Sequence, residues 1–140
     1  MSKGNKKKSG GKKEFGKNVV KKQYVDLYYM IPQTVGAKAI AKVLLEEKPE
    51  YAERIECWEE AGVLEISVGE DGSIDMEWLD LTKEEQSEGF LVSNQICCVY
   101  SVHTDSERMK ETKDIFECLV NRIGGLLCSD SADFMPIIVK

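Results

Sequence analysis

The chain has 140 residues, 42% of them hydrophobic and 31% charged, with a formal net charge of −6. That length suits one domain with a proper core, and the composition excludes collagen-like, fibrous or wholly disordered classes. No apolar run approaches the ~20 residues that cross a bilayer, so no membrane span is expected.

The charge is unevenly distributed. Residues 1–22 hold nine lysines and one acid, Glu14, for a net of +8, whereas residues 23–140 carry −14. The first segment offers only Phe15, Val19 and Val20 for burial. It cannot offset its own ordering entropy and is expected to be a disordered basic arm. Its lysines have no apolar stretch behind them, which argues against a secretory signal. One reading attaches the arm to nucleic acid or an anionic surface through Lys6, Lys7, Lys8, Lys12 and Lys13. The plainer reading is a solvated tail resting on its own acidic body, since the aromatic interleaving needed for base stacking is missing.

Residues 23–140 are expected to form a single α+β domain. YVDLYYMI (24–31) is apolar on both faces, as in an interior strand, and Pro32 ends it. A helix is predicted from Thr34, with Ile40, Val43 and Leu44 inward and Lys38, Lys42, Glu46 and Glu47 outward. Pro49 must interrupt or restart it. In PEYAERIECWEEAG, Tyr51, Ile55 and Trp58 fit a helical face closed by Gly62, although IECWEE also reads as a short strand. Helix is the expectation. VLEISVGEDGSIDMEWLDL is a hairpin, with Leu64, Ile66 and Val68 facing in on one strand and Ile74, Met76 and Trp78 on the other. Its turn is assigned to the Asp-Gly of GEDGS.

LTKEEQSEGF follows as a polar connection with room for one helical turn. QICCVYSVH is a second interior strand, and Thr104 with Glu107 three residues later suggests a capping box. The helix beyond it turns Met109, Phe116, Leu119, Val120 and Ile123 inward and stops at Gly124 and Gly125. LLCS, a turn at DSAD and FMPIIVK close the chain. Pro136 marks the last piece as an edge strand, and an open edge there would let two subunits pair. The order is read as β-α-β-β-α-β with an extra helix and a tailpiece, the pattern of a ferredoxin-like split βαβ sandwich.

No assembled chemical motif is found. Cys57, Cys97, Cys98, Cys118 and Cys128 are odd in number and lack both zinc and C-x-x-C spacing, so they are read as reduced thiols in a cytoplasmic protein, with no metal and no cofactor. GEDGSIDMEWLD does not follow the EF-hand grammar. Phosphate-binding glycine loops and the G-x-S-x-G elbow are missing from the sequence. Two constellations remain. If the strands at 95–103 and 126–129 run parallel, His103, Asp105, Asp130 and Asp133 gather at one sheet edge, where they can serve acid–base catalysis. Capping and turn roles explain those aspartates more simply.

The second constellation is the acidic surface around Glu56, Glu59, Glu60, Glu65, Asp75 and Glu77, suited to a basic protein partner. A non-catalytic, immunity-like or regulatory binding module is therefore the leading expectation. Attachment through the arm and an enzyme at His103 are the alternatives.

Overall fold

The computed structural model describes residues 23–81, 88–131 and 135–139. The arm at 1–22, most of the polar connection after Leu81, and Asp133 lie outside the described residues. The chain builds one seven-stranded sheet in the order β2-β3-β4-β5-β1-β6-β7. Its strands are β1 Tyr24–Ile31, β2 Ile55–Trp58, β3 Val63–Val68, β4 Gly72–Trp78, β5 Cys98–Asp105, β6 Leu126–Ser129 and β7 Pro136–Val139. Every neighbouring pair is antiparallel. Among the described residues three α-helices accompany it: α1 Ala37–Glu47, α2 Glu88–Ser93 and α3 Met109–Ile123. Mixed α+β is the class, and none of the described helices is long and apolar enough to cross a membrane.

Strand alternation splits the sheet into two faces. Leu27, Tyr29, Ile31, Leu64, Ile66, Ile74, Met76, Tyr100, Val102 and Leu127 form the main core with Ile40 and Leu44 of α1 and Ile115, Phe116, Leu119 and Val120 of α3. Both helices pack on this face because each carries an apolar stripe at helical spacing. Tyr29 fixes the layers together: its hydroxyl donates to the carbonyl of Gly124 at 2.8 Å, and its ring meets Phe116 edge-on. Burial raises its phenol well above the usual range. On the neighbouring strand, directly opposite Tyr29, the Tyr100 hydroxyl donates to Val35 O at 2.6 Å.

Among the described residues, the other face is covered at one end only. Met30, Val99 and Cys128 pack there with Leu91 of α2 and with Ile96, flanked by Tyr28, Leu79, Phe90 and Leu126. This second cluster explains why β1 and β5 are apolar on both faces at their Ile31–Cys98 end. α2 is longer than the single turn expected in this region.

Four expectations are corrected. Residues 49–61 are a 3₁₀ turn at Pro49–Tyr51, then strand β2, then a second 3₁₀ turn at Glu59–Ala61. Pairing with β3 (Ile55↔Ile66, Trp58↔Val63) outweighs the helical spacing of Tyr51, Ile55 and Trp58. Trp78 is 46% exposed rather than in the core, because it ends β4 against the backbone of Gly62. In the hairpin turn the left-handed residue is Gly69 (φ 66), and Gly72 is instead the buried first residue of β4.

The fourth correction concerns the start of α3. β5 runs on to Asp105, which caps the 3₁₀ turn Ser106–Arg108 leading into α3, its carboxylate accepting from Glu107 N at 2.9 Å. Thr104 is fully buried, its hydroxyl 2.8 Å from that of Thr112. Thr112 donates its only proton to Arg108 O at 2.8 Å, so Thr104 must be the donor to Thr112.

Candidate functional site

The uncovered part of the second face carries a transverse row of ionisable side chains. Glu56 lies opposite Glu65, Glu65 opposite Asp75, Asp75 opposite His103, and His103 opposite Asp26. Directly opposed residues present their side chains to the same face, so one line crosses β2, β3, β4, β5 and β1 in turn. The next row on this face holds Trp58, Val63, Glu77, Ser101 and Tyr28 in the same strand order, with Trp58 and Glu77 exposed and the other three half-buried. Four of the six acids expected to form a binding surface, Glu56, Glu65, Asp75 and Glu77, therefore share this face. Glu59 and Glu60 sit apart in the 3₁₀ turn after β2.

Among the described residues, the acid end of the row is uncompensated. Five acids elsewhere find cations: Glu46 and Glu47 meet Arg122, Asp114 meets Lys48, and Asp71 and Glu111 meet Arg108. Among the described residues, none of Glu56, Glu65, Asp75 and Glu77 pairs with a lysine or arginine. Partial burial raises the Glu65 carboxyl above the usual glutamate range, and the charges of Asp75 and then Glu56 push it further the same way. Asp75 also shares a hydrogen bond with it. Opposed like charges destabilise a sheet.

His103 closes the row at β1. Its Nδ1 lies 2.8 Å from Asp26 Oδ1, and its ring stacks on Tyr24 with centroids 4.6 Å apart. Asp26 is the partner that sequence reasoning missed, because the strands that bring it to His103 are remote in the chain. β5 and β6 both run antiparallel to β1, on its two sides. They are therefore parallel to each other and two strand spacings apart, roughly 9–10 Å. His103 lies on β5, Asp105 is occupied as the cap of the helical segment, Asp130 is exposed just past β6, and Asp133 is outside the described residues.

Among the described residues no group of three or more His, Cys, Asp or Glu side chains can hold a metal ion. All five thiols are free, Cys57 and Cys97 exposed and Cys98 and Cys128 buried. Burial pushes the Cys128 thiol up to about 11. Cys57, Cys98 and Cys118 are also raised, each chiefly by burial. None of these four is a poised thiolate.

The molecule is thus an α+β sheet protein with an open acidic face. No family model, curated protein or solved structure matches the chain.

Proposed function

We propose that this chain is a small, non-catalytic binding or inhibitory module, immunity-like or regulatory, whose open sheet face docks a basic protein partner. The observation that carries the reading is the unneutralised Glu56–Glu65–Asp75 row. It opposes folding, whereas Glu46, Glu47, Asp71, Glu111 and Asp114 sit in ion pairs and Asp105 in a cap. A partner bringing Lys or Arg across the strands converts that penalty into attraction and steers the encounter. Trp58 and Tyr24, 49% and 51% exposed at the margins of the face, supply aromatic anchors on which a guanidinium can stack.

The same proposal gives the fold its finer name. β6-β1-β5-β4, with α1 leading from β1 toward β4 and α3 linking β5 to β6, follows the strand order of a ferredoxin-like split βαβ unit. The β2–β3 pair then widens that unit on the β4 side and supplies two of the three acids in the row. The five free thiols fit a reducing, cytoplasmic setting.

The test is affinity capture from source-cell extract at low salt, comparing the full chain with Glu56→Gln/Glu65→Gln/Asp75→Asn. A basic protein retained by the first and lost with the second, both being folded by circular dichroism, supports the reading. Identical captured sets refute it.

A further inference from the structure

We infer that the basic partner joins the sheet as an added strand along the free edge of β2, with a Lys or Arg opposite Glu56. This mode of engagement rests on the docking face proposed above and specifies which part of a partner reaches it. Three observations carry it.

The first is an unpaired backbone. Among the described residues β2 is an outermost strand, with β3 its one neighbour. Arg54 O accepts from Ser67 N at 2.8 Å, and the register continues from that pair to Glu56↔Glu65 and Trp58↔Val63. Antiparallel bonding alternates along a strand, so Ile55 and Cys57 turn their N–H and C=O groups away from β3. Among the described residues no backbone bond from outside the sheet reaches Ile55 or Cys57. Those groups are placed to receive another strand.

The second is the lack of protection on this edge. Natural edge strands are blunted by proline, lysine or a bulge. At the other side of the sheet, β7 begins with Pro136, which has no N–H, and meets β6 across a register shift at Leu127/Cys128. Ile-Glu-Cys-Trp of β2 has neither proline nor lysine, and its register with β3 is unbroken.

The third is charge, which selects the occupant. In an added antiparallel strand the residues opposite Ile55 and Cys57 make the hydrogen-bonded pairs. The residue opposite Glu56 then falls in the closer kind of pair, with Cα atoms about 4.5 Å apart. A Lys or Arg there brings the Glu56–Glu65–Asp75 row the cation it lacks among the described residues. Two positions along, opposite the exposed Trp58, an Arg stacks on the indole. The alternate residues face the side where half-buried Ile55 packs on the main core, and an apolar side chain extends that core. A second copy of this chain fits poorly, because full antiparallel overlap of two β2 strands sets Glu56 against Glu56.

The probe is the peptide acetyl-Val-Arg-Val-Lys-Val-amide, titrated into the full chain at low salt. The control is the same peptide N-methylated at its valines, which keeps the charges and loses the donors. Amide shifts and amide hydrogen exchange of the protein are recorded. The expected result is slowed exchange at Ile55 and Cys57 with shifts at Glu56 and Glu65. The methylated peptide should bind about tenfold more weakly, and Glu56→Gln should weaken the unmodified peptide about two- to fivefold. Shifts along the acidic row with unchanged exchange at Ile55 and Cys57 overturn the inference and leave the docking face standing. So does equal affinity for the two peptides, or an affinity that Glu56→Gln leaves intact. Protection of Ile55 and Cys57 that grows with protein concentration in the free chain also overturns it, since a second copy then holds the edge. If neither peptide moves an amide of Glu56, Glu65, Asp75 or Glu77, the docking face fails and the inference with it.

Discussion

Glu65→Gln should make the protein more stable while it weakens binding to a basic probe. Glu65 is the centre of the row, directly opposite Glu56 on one side and Asp75 on the other. Each opposed like-charge pair costs about 0.2–1 kcal/mol. Two unit charges ~5 Å apart in a water-like dielectric give about 0.8 kcal/mol, consistent with the upper part of that range. Removing both pairs should therefore stabilise the fold by about 0.4–2 kcal/mol at low salt, roughly 2–6 °C in Tm.

The pH dependence follows from the direction of the Glu65 shift. Its carboxyl is raised in the folded state, so between the unfolded and folded values the native chain binds the extra proton. Stability then falls as pH rises through a window opening near the ordinary glutamate value of about 4.3. The penalty is complete above the folded value and absent below the unfolded one. Glu65→Gln should abolish that component. Urea titrations at several pH values, with and without added salt, measure both effects. If the variant is neutral or less stable than wild type at pH 7 and low salt, the row is not a source of strain, and the argument for a partner loses its support.

Three further outcomes are expected. Thr112→Val should cost about 1–3 kcal/mol, because it strips both the Thr104 hydroxyl and Arg108 O of a partner, whereas Thr104→Val should cost less than about 1 kcal/mol; equal losses in chemical denaturation would reverse the donor assignment. Gly125→Ala should destabilise by at least about 1–3 kcal/mol, because at φ 87 the new methyl would fall 2.2 Å from Met30 O; an unchanged melting curve would contradict this placement. Cys57 and Cys97 should react with a thiol reagent in the native protein, the half-buried Cys118 more slowly, while Cys98 and Cys128 wait for unfolding; a fast fourth or fifth equivalent would show that the core opens.

The elements with one dominant periodicity were legible before any coordinates. α1, the β3–β4 pair and α3 carry apolar residues at a single spacing, and their inward residues are those of the core, with Trp78 the exception at a strand end; β1, apolar on both faces, was legible as a short run ended by Pro32. β2 was not legible, because Ile55 and Trp58 satisfy a helical spacing while Ile55 and Cys57 satisfy a strand. Only the ladder to β3 decides between them. The misplaced cap has a similar origin: Thr104 and Asp105 both suit an N-cap, and the choice depends on how far β5 stays paired with β1. For the candidate site, Glu65 and Asp75 can be aligned from the hairpin alone. Glu56 joins them only if β2 is a strand, and Asp26 meets His103 only through pairing between distant segments, which local pattern does not encode.

The central place of β1 has a consequence for biosynthesis. Tyr24 and Ile31 find their β5 partners in Asp105 and Cys98, and the other side of the strand waits for β6. At about 5–20 residues per second, the ribosome needs roughly 4–15 s to make β5 after β1. For that interval a strand with two apolar faces and two unpaired edges has no final partner, which makes it a natural target for holding chaperones. A nascent chain released before β5 would expose the segment that every later strand on either side depends on.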